Sequence, residues 1–472
     1  MAVMQDSVLA RRPLVGAGLL VVAAVGLLLV GSVVAFLPAD AVTYLVLLLL
    51  TGVGAVWFIP RMVRREPTVS IQLLTTALVV KLAGSLARFL ILEVVYKEHG
   101  DAYGYHTSGL QYFEQVRSLD FSWLHPPFVG TDFMHDITPM LYAVIGPSML
   151  GGFLVFSILA FAGTWCFYRA HRLAFPDGDS RLYFLLLFFF PTMVFWPSSL
   201  GKDALVLFGT GLGTYGLARL MRGVPLRGLL MLAAGVATTF AVRPAVGAIF
   251  AFGVAAGFMI HPRPGASPFT RPITLLLLGP ILVLGLLFTV RLASEFEGYE
   301  VTAEAATAYY AETSQNVATG GSSYEPSLPT SPASALQAAV TVLFRPFIYE
   351  GNSPLALAAG LEGLALLVLA VWRFRAVLRA LKAWRGGMIV TAVLTSAGLI
   401  AALAAFSNFG LLVRQRAQVL TFLFMIIAAA PRRRQKVTGQ TAPQPVPARS
   451  VQRSTTPGVA WIRSTASATR DT

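Results

Sequence analysis

Apolar runs of roughly twenty residues recur along the whole chain, separated by short polar stretches. Each is long enough to cross a ~30 Å hydrocarbon core as a helix. The pattern predicts about twelve helices: 13–37, 41–59, 69–97, 139–167, 181–195, 203–220, 227–241, 245–260, 273–292, 354–372, 387–406 and 414–430. The run 13–37 stands where a signal peptide would, but no small-residue cleavage site follows and the next span begins at once, so it reads as a retained helix. Two intervals between spans are long, 98–138 and 293–353. The second is acidic and then Gly/Ser/Pro-rich ("GGSSYEPSLPTSP"), a composition suited to a flap over a site. Residues 431–472 are basic, rich in Ser, Thr, Pro and Gln and poor in apolar residues, which predicts a disordered tail near anionic lipid. The predicted architecture is all-α and polytopic: a short cytoplasmic segment 1–12, a transmembrane helical domain 13–430 with long extracytoplasmic loops 98–138 and 293–353, and the tail 431–472.

Composition strengthens this picture. The chain is 56% hydrophobic with a mean hydropathy of +0.69, and 12% of its residues are charged, where a soluble domain has about 25%. It is an integral membrane protein by composition. The single Cys166 falls inside a predicted span, so there is neither a disulfide framework nor a cysteine metal site. A net charge of +14 would suit nucleic acid, but its distribution assigns it to topology. With Arg11 and Arg12 cytoplasmic, every second connection is basic: Arg61, Arg64 and Arg65; Arg169, Arg172 and Arg181; Arg219, Arg222 and Arg227; Arg263 and Arg271; Arg373 to Arg385. No nucleic-acid partner is expected, and 98–138 and 293–353 lie on the outer side.

Five polar stretches reach that outer side: "GDAYGYHTSG" with Asp101, Tyr103, Tyr105 and His106; "WPSSLGKD" with Trp196, Lys202 and Asp203; "AVRPA" with Arg243; "LFRPFIYEGNSP" with Arg345 and Glu350; and "NFGLLVRQRAQ" with Arg414 and Arg416. In the third predicted span Lys81, Ser85 and Arg88 stand at i, i+4 and i+7, on one helix face. Charges inside a span face protein or a wet cavity rather than lipid. Taken singly, each has a plainer role. Arg and Lys snorkel to headgroups, Asp101 and Lys202–Asp203 suit helix starts, and the prolines after Arg243 and Arg345 end helices. His125 and His135 read as loop residues, and nothing has metal-ligand spacing. As a set, drawn from different helix pairs, they are expected to converge on one cavity. Arg forks match phosphate oxygens and Lys adds a point charge. A carboxylate among them can take a proton from an acceptor hydroxyl while the cations stabilise a phosphate leaving group.

The "D-A-x-x-Y" setting of Asp101 in the first large external loop resembles the corresponding loop of the polytopic C-type (GT-C) glycosyltransferase superfamily. "FFPTMVFWPSSLGKDALVLF" and "LFRPFIYEGNSPLALAAGLEGL" are similar to stretches of bacterial cell-envelope glycosyltransferases and polysaccharide polymerases. With the whole loop 98–138 counted, the three cover about a fifth of the chain. The resemblance implies a GT-C-like enzyme of the bacterial cytoplasmic membrane, multi-pass, with its site facing outside. It would move a sugar from a polyprenyl-phosphate-linked donor to a glycan or lipid-linked acceptor. Asp101 would be the base. Lys202, Arg243, Arg345, Arg414 and Arg416 would contact the phosphate, Tyr103, Tyr105 and Trp196 would stack on sugar faces, and Lys81, Arg88, His106, Asp203 and Glu350 would complete the substrate-binding set. The superfamily's loop Asp follows the first span and here it follows the third, so either two helices have been added or the loops are not equivalent. One loop Asp and scattered acids neither require nor forbid Mg²⁺ or Mn²⁺, so no cofactor is assigned. Without a Gly-rich phosphate loop, a nucleotide-sugar donor and an ATP-driven pump are disfavoured. Two alternatives stay open: a repeat-unit polymerase acting on polyprenyl-diphosphate oligosaccharides, and a flippase for lipid-linked sugars. A transporter calls for mid-membrane polar residues and two similar halves. Only Lys81, Arg88, Glu93 and Glu362 lie within spans, and no halves are evident.

Overall fold

The computed structural model describes residues 39–64, 66–97, 100–124, 126, 128–261, 323–326, 331–382 and 386–430. The predicted spans 13–37 and 273–292, most of the interval 293–353, His125 and the tail 431–472 lie outside the described residues. Helix α1 (Ala39–Val63) leads to α2 (Ile71–Val94). The interval 98–138, expected as loop, holds α3 (Asp101–Arg117) and the start of α4 (Gly130–Ile145). The span expected over 139–167 is two helices, α4 and α5 (Met149–Ala174). Gly146 ends α4 at φ +88, a conformation that favours a residue without Cβ. Pro147 brings no N–H to the ladder. Ser148 then opens α5, its hydroxyl accepting from the Gly151 N–H at 2.8 Å. The span expected over 181–195 breaks in the same way at Pro191, into α6 (Ser180–Phe189) and α7 (Pro191–Phe195).

Next come α8 (Lys202–Met221), α9 (Pro225–Val242) and α10 (Pro244–Ile260), the last two started by proline, whose missing N–H has no helical partner at that position anyway. Beyond them lie α11 (Pro332–Phe344), a 3₁₀ turn Ile348–Glu350, α12 (Pro354–Lys382), α13 (Gly387–Leu403) and α14 (Phe409–Ala429). Among the described residues there is no strand, only a bridge between Ser323 and Asn408. Six of the helices, α1, α5, α8, α9, α12 and α14, are long and apolar enough to cross a membrane. The protein is an all-helical membrane protein.

Burial orders these helices from inside out. The apolar window of α14 is 78% buried and those of α5 and α8 are 67% buried, against 17% for α12 and 6% for α1. Lipid tails are as apolar as Leu, so Val53, Trp57 and Phe58 of α1 stand outward at no hydrophobic penalty. Without that driving force, inner helices associate by close van der Waals approach through small residues. Helix α8 does so on two sides. A Cβ on Gly209 would meet the Gly235 carbonyl at 2.8 Å, and one on Gly216 the Gly228 carbonyl at 2.7 Å, so α9 lies backbone to backbone on that face. On its other face α8 crosses α5, where a Cβ on Gly163 would meet Phe208 Cα at 2.5 Å.

The two ends of the bundle differ in chemistry. At one end the buried Glu66 carboxylate takes Arg169 at 3.1 Å and Arg172 at 3.2 Å and accepts the Tyr168 hydroxyl. There Arg222 donates to the Leu173 carbonyl and Arg373 faces Asp179 at 3.7 Å. Asp101, Asp203 and Arg414 gather at the other end. Gly163→Val puts a whole isopropyl group against backbone that a Cβ alone would already meet at 2.5 Å. It is expected to lower stability by about 1–3 kcal/mol, read as a lower thermal midpoint of the purified protein; an unchanged midpoint contradicts the crossing described.

Candidate functional site

The site is built outward from Asp203. It stands in the first turn of α8, where the helix dipole favours an anion, but it is also only 4% exposed. A carboxylate so buried is tolerated only when paired, and this one is paired twice. Arg243, on the extended turn between α9 and α10, reaches Oδ1 at 2.9 Å. Arg414 of α14 donates from Nε to Oδ2 at 2.5 Å. Arg243 also donates to Gln415, and Arg414 continues to Asp101 Oδ2 at 3.0 Å. Four chain segments are thereby joined in the order Arg243, Asp203, Arg414, Asp101. Asp101 opens α3 behind Gly100, and its side chain is 55% exposed.

Asp101 and Arg414 form part of the wall of an open pocket of about 220 Å³. Arg88 of α2 lines it too, beside Trp196 and Tyr96. The Arg88 guanidinium lies 5.1 Å from the Trp196 ring centroid and 5.5 Å from that of Tyr96, contacts that stabilise a desolvated cation. Its Nε and Nη1 are buried without a hydrogen-bond partner. Lys202 donates to Thr131 at 2.7 Å and sits in the field of Asp101, Asp203, Arg243 and Arg414. Arg88, Lys202, Arg243 and Arg414 are four cations facing two carboxylates, Asp101 and Asp203. Two positive charges are left in excess, and those of Arg88 and Arg414 border the pocket.

The other residues expected at the site divide. Tyr103 donates to Glu93. Tyr105 is buried, its ring 5.1 Å from that of His135 in an edge contact. Burial, with Asp101 nearby, pushes its phenol above the ordinary range, so it stays protonated. His106 Nδ1 meets the Tyr142 hydroxyl at 2.8 Å, and burial pulls its imidazole below the ordinary range although Asp40 and Glu93 work against that fall. These three brace α3 rather than line the pocket. His135, expected in a loop, stands on α4.

Lys81 does not reach the pocket. It is buried and donates to the Met193 carbonyl of α7 at 3.0 Å; Arg88, two turns on along the same face, is the one that arrives. Arg345 and Glu350 form a local two-pronged pair, with Arg345 Nε 2.9 Å from Oε1 and 3.1 Å from Oε2. The guanidinium lies over Tyr324 and Phe409 at 4.7 and 5.0 Å. Arg416, expected as a phosphate contact, is fully buried. It donates to the carbonyls of Leu343 and Arg345 at 2.8 and 3.1 Å and faces Glu362 at 3.6 Å. Residues two apart on a helix point in different directions, so α14 cannot present both Arg414 and Arg416 to one pocket.

Residues outside the expected set also line the pocket, among them Ser199, Asn408 and Gly410. Asn408 carried a signal: an Asn ahead of an apolar run is a helix cap, and its side chain accepts from the Gly410 and Leu411 N–H groups. Among the described residues no group of three or more His, Cys, Asp or Glu is placed to hold a metal ion. No protein-family model, curated protein or solved structure matches the chain.

Two outcomes follow from this geometry. Asp203→Asn leaves two buried guanidinium groups without their shared anion, and is expected to cost about 3–5 kcal/mol in chemical or thermal unfolding of the lipid-embedded protein. A loss below about 1 kcal/mol, the level of a surface pair, contradicts the burial of this pair. The depressed His106 pKa stabilises the α3–α4 pairing above the imidazole's ordinary value of 6.5. That contribution is lost as pH falls below 6.5 and through the lower folded value. The protection factors of the α3 amides, which divide out the intrinsic fall of exchange with falling pH, are expected to drop between about pH 7.5 and about pH 5.5, with the drop reduced in His106→Asn.

Proposed function

We propose that the protein is a membrane glycosyltransferase that moves a sugar from a polyprenyl-phosphate-linked donor to a glycan or lipid-linked acceptor. In this reading it is a GT-C-like protein of about twelve spans in a bacterial cytoplasmic membrane, with the Asp101 end of the bundle outside. One observation carries the proposal: a pocket at the end of the bundle has Arg88 with unpartnered nitrogens, Arg414, and a half-exposed Asp101 in one wall. An excess of positive charge within a low-dielectric protein attracts an anion strongly. A carboxylate beside it gives the site a base as well as an anion hold.

The chemistry then runs as follows. The donor phosphate lies between Arg88 and Arg414, whose N–H forks suit its oxygens. The acceptor hydroxyl approaches Asp101, which takes its proton as the oxygen attacks the anomeric carbon. The bond from that carbon to the phosphate oxygen breaks, and the electron pair leaves with the phosphate. The charge gathered on the leaving group is stabilised by guanidinium groups already held in place by Asp203 and the aromatic rings, so little reorganisation is needed at the moment of reaction. Trp196 and Tyr96 offer apolar faces to the sugar or the first prenyl units.

A transfer assay with the protein in lipid and a panel of radiolabelled polyprenyl-phosphate sugars tests this. Wild type is expected to turn over one of them, and Asp101→Asn to lower kcat by about 10²- to 10⁴-fold, the range of a general base. Full activity in Asp101→Asn removes the base. Turnover confined to polyprenyl-diphosphate oligosaccharides reassigns the protein as a repeat-unit polymerase, and movement of donor across the bilayer without any transfer reassigns it as a flippase.

A further inference from the structure

A second pocket, of about 280 Å³, opens further along α3, between it and α4. Its wall includes Ser108, Gln111 and Tyr112 from α3 and Asp132, His135 and Asp136 from α4. Its charge is opposite to that of the first: among the described residues its lining has two carboxylates and no Lys or Arg. A phosphate or carboxylate ligand is repelled there. The neutral groups decide what is attracted. Ser108, Gln111 and Tyr112 each carry both donor and acceptor capacity. A simple cation needs acceptors alone, whereas a ligand made of hydroxyls uses both kinds. Asp132 is exposed, and a carboxylate accepts from hydroxyls more strongly than a neutral group does.

The wall is firm. Trp123 is buried and donates to the Asp120 carbonyl at 2.9 Å. Tyr112 stacks on it, with ring centroids 5.1 Å apart and planes 11° from parallel. Ser108 and His135 Nδ1 meet at 2.5 Å, tying α3 to α4 inside the pocket. A half-buried ring held flat by a second ring offers an apolar face beside polar groups, the combination that a sugar's alternating C–H and O–H surfaces match.

The position relative to Asp101 completes the case. Asp101, Gly104, Ser108 and Gln111 fall at i, i+3, i+7 and i+10, one stripe of the helix surface. Ser108 is about 10 Å from Asp101 along the axis. Between them the stripe carries no side chain at Gly104, which is exposed. From these observations we infer that the second pocket is a binding subsite for a neutral, hydroxyl-rich saccharide. Resting on the transferase reading, it holds the acceptor glycan behind the hydroxyl that Asp101 deprotonates. The two pockets then sort their ligands by charge: phosphate at the cationic one, uncharged glycan at the anionic one.

Saturation-transfer NMR on the lipid-embedded protein with maltotriose, mannotriose and cellotriose tests the subsite without requiring turnover. Wild type is expected to show transfer to at least one of these sugars. Gln111→Trp, which fills the pocket from an exposed position, is expected to abolish it. Asp132→Asn is expected to weaken it about tenfold, the loss of one charge-assisted hydrogen bond, and Glu114→Gln, outside the pocket, to leave it unchanged. Silence with all three sugars overturns the inference, as does equal signal in wild type and Gln111→Trp, or binding of choline but of no sugar. Sugar binding in a protein that transfers nothing keeps the subsite and removes the transferase reading. Transfer with an acceptor KM that Gln111→Trp does not move removes the subsite and keeps the transferase.

Discussion

Everything at the Asp101 end of the bundle hangs on one buried carboxylate. Asp203 is held inside the protein by its place in the first turn of α8, and it is stable there only because Arg243 and Arg414 both reach it. That requirement dictates where three other elements lie. The α9–α10 turn has to bring Arg243 down, α14 has to cross close enough for Arg414, and α3 has to start where Arg414 ends its reach, at Asp101. A guanidinium held from one side by a buried anion keeps its other N–H groups pointed in a fixed direction. The pocket wall is therefore organised before any ligand arrives.

The glycines of α8 make that arrangement possible. Charge pairs at a helix end are short-range, so the helices carrying them have to approach within a few ångströms. Gly209 and Gly216 on one face and the crossing with Gly163 on the other let α9 and α5 lie directly on the α8 backbone. The periphery does the reverse, with α1 and α12 exposing large apolar side chains. The same composition thus yields an inner set of helices packed by close contact and an outer set packed by lipid.

How much of this was readable in the chain varied with the physics involved. Apolar runs report helices that face hydrocarbon, and α8, α9 and α10 begin and end within a residue or two of where their runs do. The "GPS" at 146–148 is a stop and a start in three letters, a left-handed cap, a proline and an N-cap, but hydropathy averaging reads straight through it. Helix α3 was invisible to the same measure because it is mostly polar. Its trace was the buried series Ala102, Tyr105 and Gly109, at helical spacing. Asp101, Arg88 and Arg414 were legible as members of one site, since charges near apolar spans have few places to go. The separation of Arg414 from Arg416 was not, because which face of a buried helix meets which neighbour is decided by packing across hundreds of residues. Arg345 is the opposite case: its partner Glu350 stands five residues on in the same stretch.

The bond between Arg414 and Asp203 spans 211 residues of sequence. At a synthesis rate of roughly 5 to 20 residues per second, Asp203 waits on the order of 10 to 40 s before its second partner exists. In that interval Arg243, forty positions on, is the only strong cation of the pair to have emerged. The half-made bundle therefore has to carry a carboxylate that is either singly paired or still in contact with water until α14 is threaded beside it. Assembly of the site is thus a late event in biogenesis, timed by the arrival of one arginine.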